Sequence, residues 1–109
     1  MSQHSVTLRI APDHPSLAGH FPGHPIVPGV VLLDETLQAI ERLQGAEEAW
    51  WHIGAVKFHH VVAAGEQLQL TFEWPTDAPV HFELHSGRTL VASGTLRRRA
   101  RIRAVVSAR

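Results

Sequence analysis

An imidazole, His20, and a carboxyl, Asp34, lie fourteen residues apart in this chain, with Gly29 between them. His20 falls on a loop stiffened by Pro22, Pro25 and Pro28, just ahead of a predicted helix whose N-terminus holds Gly29. A helix start presents backbone N–H groups and favours negative charge. A glycine there leaves its amide open, so a carbonyl oxygen gaining charge finds a donor. Asp34 stands in sequence among Val30, Val31, Leu33 and Leu37. Aliphatic surroundings penalise a carboxylate, so its pKa is expected to be raised unless a partner compensates. A histidine, a poised carboxylic acid and an oxyanion donor together suit removal of a proton beside a carbonyl and expulsion of a hydroxyl.

Those groups need a scaffold. Five prolines between Pro12 and Pro28 exclude helix from that stretch and fit a sheet interior poorly. From Pro28 the run VVLLDETLQAIERL has good helix formers and no interior Gly or Pro, and Gly45 stops it. The spacing predicts one helix of about 16 residues, roughly 24 Å long. Its first half, Val30 to Leu33, is apolar nearly all round and is expected to be wrapped by other structure. Strands are predicted at Val6–Ile10, Trp50–Val62, Gln67–Trp74, Val80–Leu84 and Thr89–Ile102, with a turn at Ser86-Gly87. One helix and five consecutive antiparallel strands imply an α+β fold in which a curved sheet covers the helix.

Composition narrows the class. The chain has 109 residues, enough for one domain spanning residues 1–109 and a modest core. It has no cysteine, which excludes a disulfide framework, a thiolate metal site and a Cys nucleophile. Ten basic residues balance ten acidic ones, which argues against whole-surface attraction to nucleic acid or membrane. The longest nearly apolar stretch, Ile26–Leu33, is far too short to span a bilayer, and no secretory signal pattern opens the chain. A cytoplasmic protein is expected. His59 and His60 are adjacent and in a strand would face opposite ways, while His81 and His85 would lie about 13 Å apart at strand rise. No metal site is expected from them.

The motif His20-Phe21-Pro22-Gly23, Pro25, Pro28-Gly29-Val30, Asp34 and Gln38 resembles that of the FabZ-like and FabA-like 3-hydroxyacyl-[acyl-carrier-protein] dehydratases, which have the hot-dog fold, in order and in spacing. Val56-Lys57-Phe58 followed by Gly65-Glu66-Gln67-Leu68, and Leu90 to Gly94, are similar to later segments of that family. The resemblance covers residues 8 to 96. It implies a hot-dog fold, a long central helix wrapped by a curved antiparallel sheet, assembled as a homodimer with sites at the subunit interface. It also implies that His20 is the catalytic histidine, that Asp34 is the catalytic acid supplied by the other subunit, and that Gly29 polarises the thioester carbonyl. Phe21, Pro28 and Val30 fall beside them as substrate-binding positions. The implied activity is that of a hydro-lyase giving a trans-2-enoyl thioester from a 3-hydroxyacyl group on the phosphopantetheine of an acyl carrier protein, without cofactor. Asp at the carboxylate position is the FabA-like choice, where FabZ-like enzymes carry Glu. The chain is shorter than typical dehydratases, and HHVVAA at 59 to 64 replaces their basic, proline-containing run. Compact members of this kind also occur in aryl-polyene and polyketide-like pathways.

Two features keep two readings each. Arg97, Arg99, Arg101 and Arg103 recur at every second residue as a basic stripe, which serves either as a charged edge that deters strand pairing or as a dock for an acidic carrier protein. Trp50 and Trp51 either fill the core or line a site for an aromatic or conjugated chain. For the whole chain, the rivals of the dehydratase are a hot-dog acyl thioesterase and a non-catalytic homologue that binds acyl groups or stabilises a partner.

Overall fold

Apolar positions at helical spacing and at alternate residues sort the described residues of this chain into one helix and five strands. The computed structural model describes residues 3–10, 26–44, 50–74 and 79–99. In chain order the elements are β1 (Gln3–Arg9), α1 (Gly29–Gln44), β2 (Trp50–Phe58), β3 (Gln67–Glu73), β4 (Val80–Ser86) and β5 (Thr89–Arg99). The fold is α+β, as the pattern predicts. Among the described residues, no helix is long and apolar enough to cross a membrane.

The helix begins where proline permits it. The Pro28 carbonyl accepts the Val31 and Leu32 N–H groups at 3.0 and 3.2 Å, closing the first turn without needing an amide proton from the proline. Leu32, Thr36, Ala39 and Ile40, at spacings of three and four, form the buried face. Thr36 sits in that apolar face at no polar cost, because its hydroxyl donates to the Leu32 carbonyl at 2.8 Å. The expected enclosure of the helix's first half is met on one side only: Val31 and Leu32 are buried, whereas Val30 is 72% exposed.

The strands supply the other half of the core. Leu68, Leu70 and Phe72 of β3, Val80, Phe82 and Leu84 of β4, and Val91, Ala92 and Leu96 of β5 are all buried, together with Leu8 and Ile10 near β1. A side chain such as Phe72, 1% exposed, contributes about 1.5–3 kcal/mol through burial. The polar residues between them, Gln67, Gln69, His81 and Glu83, face solvent.

Within the sheet the strands do not all follow chain order. The sheet runs β1-β3-β4-β5-β2, every neighbour antiparallel, so β2 crosses to β5 rather than forming a hairpin with β3. The N–H groups of His59 and His60 both donate to the Val91 carbonyl, at 2.7 and 3.3 Å, which turns the chain out of the ladder. The strand expected to reach Val62 therefore ends at Phe58. In β2 the register slips by one residue between Ile53 and Val56, a bulge that sets Gly54 and Ala55 against Thr95 and Gly94 of β5. Gly94 accommodates it: a β-carbon there would lie 2.8 Å from the Ala55 carbonyl oxygen. The last predicted strand is described as far as Arg99, and Ala100 to Ile102 lie outside the described residues.

Candidate active site at the start of α1

The approach to α1 is held as a short piece of antiparallel ladder. Val27 donates its N–H to the Val62 carbonyl at 2.8 Å, and Ile26 bridges Ala63. Two residues later Gly29 lies against the ring of Phe58, the last residue of β2. A β-carbon on Gly29 would stand 3.0 Å from two carbons of that ring. Gly29 thus sits in close approach to a half-exposed ring, a contact that its sequence neighbours do not reveal. The Pro28 carbonyl is occupied by Val31 and Leu32. The amides of Gly29 and Val30 fall in the first turn, where an α-helix offers no carbonyl partner, and they are the donors available to an anionic oxygen.

From Val30 onward at steps of four, Val30, Asp34 and Gln38 line the outward side of α1, each exposed. Gln38 donates its Nε2–H to Asp34 Oδ2 at 2.8 Å, an i,i+4 contact that fixes the carboxyl along the helix surface. This corrects the sequence-based picture of Asp34 surrounded by aliphatic groups. Val31 turns into the core, Leu33 and Leu37 are only partly buried at its margin, and the chain itself leaves Asp34 uncovered. The helical period explains the difference, because residues adjacent in sequence point about 100° apart.

The remaining predicted positions are distributed as follows. Pro28 is half-buried at the head of α1. His20 and Phe21 lie outside the described residues, as do Pro22, Gly23, His24, Pro25, Arg101 and Arg103. Arg97 is exposed on β5 opposite His52, and Arg99 ends β5 opposite Trp50. Trp51 belongs to the rim of the core: its indole N–H donates to Glu41 Oε2 at 2.6 Å, and its ring meets Trp74 edge-on with centroids 6.1 Å apart. His59 and His60 lie past the end of β2. His59 Nε2 is 3.2 Å from the Ser93 hydroxyl, and His60 Nδ1 is 3.1 Å from the Val61 carbonyl. His85 Nε2 lies 3.7 Å from Glu83 Oε1 on the polar face of the sheet. Among the described residues, no three potential ligands are grouped so as to hold a metal ion.

Behind the approach to α1 lies a second polar knot. Ala63 to Glu66 form a tight turn with Gly65 at φ 88°, a left-handed value suited to glycine, and the Glu66 N–H donates to the Ala63 carbonyl at 3.1 Å. The Glu66 carboxylate accepts the Ala63 N–H at 3.1 Å and the Ser86 hydroxyl. The Ser86 hydroxyl first, and then the Ala63 N–H, hold this carboxyl below the usual carboxylate range. Burial opposes them, and the charge of His60 adds a smaller lowering.

Comparison with known proteins places this architecture. Residues 1–95 match the model of the ApeI-like dehydratases, described as ApeI dehydratase. A curated relative, the 3-hydroxyacyl-[acyl-carrier-protein] dehydratase FabZ of Nitrosomonas europaea, is 35% identical over 71 residues, covering 56% of this chain and 46% of the relative. The chain thus spans about half the length of the curated relatives it matches. Among solved structures, the ApeI:P dehydratase heterocomplex of Xenorhabdus doucetiae superposes with a TM-score of 0.74 at 23% identity, covering 88% of this chain and 86% of that one. The fluoroacetyl-CoA thioesterase FlK superposes with a TM-score of 0.62 at 15% identity, covering 87% and 82%. These likenesses give the hot-dog fold, which dehydratases and thioesterases share. With most of its length matched to that one family, the chain belongs to the ApeI-like dehydratases.

Proposed function

We propose that this chain is a 3-hydroxyacyl-[acyl-carrier-protein] dehydratase acting in fatty-acid or aryl-polyene biosynthesis. The observation that carries the reading is the head of α1 within a family-matched chain: the Gly29 amide in the first helical turn, with the Asp34 carboxyl further along the helix and hydrogen-bonded by Gln38. In the proposed reaction the thioester oxygen lies at the Gly29 N–H and the His20 imidazole takes a proton from C2. Charge moves onto the oxygen held by the amide. Asp34, as the carboxylic acid, then protonates the departing 3-hydroxyl, the C3–O bond breaks, and water leaves behind a trans C2=C3 double bond. A single oxyanion donor of this sort is worth about 3 kcal/mol, and a positioned acid or base about 10²- to 10⁴-fold.

A second chain completes the site in this proposal. Asp34 needs a cover that its own chain does not give. Ile26, Val30, Ile53, Phe58 and Val61, large apolar residues at least 36% exposed, lie at the approach to α1 and along β2 and its exit. β2 is also an edge of the sheet. A homodimer paired along this edge would cover both. The carrier protein would dock on the Arg97 and Arg99 stripe continued by Arg101 and Arg103.

Incubation with a 3-hydroxyacyl carrier-protein thioester, followed by mass spectrometry, tests the chemistry. Loss of 18 Da with the thioester intact is expected, and His20→Ala and Asp34→Asn should each reduce turnover at least about 100-fold while leaving folding unchanged. Release of free thiol would identify a thioesterase instead, and unchanged substrate a non-catalytic homologue.

A further inference from the structure

We propose that Glu66 is a positioning residue for the Gly29 amide, an inference that rests on the dehydratase reading above. Glu66 lies far from Gly29 in sequence and contributes no atom to the reacting groups. Its carboxylate instead fixes the turn against which the approach to α1 is built. One carboxylate oxygen takes the Ala63 N–H at 3.1 Å, and the other takes the Ser86 hydroxyl at the end of β4. The Gly65 N–H donates to the Ile10 carbonyl at 2.7 Å, and Arg9 Nε donates to the Gly65 carbonyl at 2.8 Å. The turn is therefore anchored on two sides, to the end of β1 and to the β4 end.

The third side of the turn carries load toward the site. Ala63 bridges Ile26, and the Val62 carbonyl holds the Val27 N–H at 2.8 Å, two residues ahead of Gly29. Val62 is itself 1% exposed, so the segment is seated in the core as well as bonded. A shift of the Ala63 backbone passes through this ladder to Pro28 and Gly29, which the Phe58 ring confines from the other side. An oxyanion donor acts only when it meets the oxygen as charge develops, and misplacement by about 1 Å costs up to roughly 100-fold in rate. The Ala63 N–H bond is the direct link from the Glu66 carboxylate to the ladder, and the Ser86 hydroxyl steadies that carboxylate from the other side.

Four variants of the full chain separate this from a merely structural role. Glu66→Ala should lower kcat about tenfold with KM within about twofold of wild type, because the amide binds the transition state more strongly than the ground state. Glu66→Gln, whose side-chain carbonyl still accepts the Ala63 N–H, should restore most of kcat. Ser86→Ala, which frees one oxygen of the same carboxylate and leaves the Ala63 N–H bonded, should lower Tm and reduce kcat by less than Glu66→Ala does. Glu66→Asp, one methylene shorter and still charged, should reproduce the kcat loss if the alanine variant does not fold. Hydrogen exchange at the Val27 amide, read in the same proteins, should be faster in Glu66→Ala and Glu66→Asp than in wild type or Glu66→Gln. The proposal is overturned if the alanine or aspartate variant loses Tm but keeps wild-type kcat, or if Val27 exchange does not change. If wild type itself forms no enoyl product, the dehydratase reading has failed, and Val27 exchange alone still decides whether Glu66 holds the approach to α1.

Discussion

Gly29 meets two demands that a side chain would break at once. Its amide must stay open to the thioester oxygen in the proposed reaction, and its α-carbon must rest on the Phe58 ring. Gly29→Ala would bring a methyl to 3.0 Å from ring carbons, tighter than ordinary van der Waals contact. The ring is 48% exposed and has solvent to move into, so stability should fall by less than about 1 kcal/mol while kcat falls about tenfold or more. Thermal melts and steady-state kinetics on the same preparation check both parts. The chemistry of such positions was legible in sequence only where a motif names them. His20, Gly29 and Asp34 stand out by type and spacing, whereas the seating of Gly29 on Phe58 joins residues from different elements and leaves no local signal. Asp34 shows the opposite failure. Its apolar neighbours in sequence suggested enclosure, but helical geometry turns only one of the four, Val31, fully into the core.

Periodicity carried the helix and most strands, because burial of one face imposes it directly. Pro28 and Gly45 marked the helix ends, and alternation located β3 and β4. What alternation leaves open is which strands pair, since every antiparallel neighbour satisfies the same pattern. The crossing of β2 to β5 is a long-range pairing of Trp50–Phe58 with residues 92–99, a choice of partner without a compositional signature. The bulge at Gly54-Ala55 is equally silent in sequence, yet it makes a sharp demand on its neighbour. Gly94→Ala would place a methyl 2.8 Å from the Ala55 carbonyl oxygen and 2.9 Å from both Phe82 and Val56. Backbone on one side and buried packing on the other leave little room to yield. A cost of about 1–3 kcal/mol is expected, visible as a lower midpoint in urea with an unchanged slope.

Taken together, the five strands and one helix present a lopsided surface. The face formed by β3 and β4 is polar, while large exposed apolar side chains collect near β2 and the head of α1. That asymmetry favours association through β2, and the proposed homodimer predicts a solution mass of twice 12.0 kDa. Ile53, 44% exposed on β2, lies away from Asp34 and Gly29 in sequence and in role. Ile53→Lys should place a desolvated charge in the joint and shift the species toward single chains in light scattering, with a parallel loss of turnover. A wild-type chain that scatters as a monomer and still turns over would remove the shared site. A species of mixed composition, formed only with a second, different dehydratase-like chain, would replace the homodimer by a heterodimer.

The crossing of β2 also sets a timetable for synthesis. β2 leaves the ribosome directly after the helix, yet the strand it needs, β5, is the last of the five to be made. While β3 and β4 emerge, Trp51, Ile53 and Val56 have no ladder to join. The growing polypeptide must carry them unshielded, a window in which a chaperone or a neighbouring nascent copy can claim the strand.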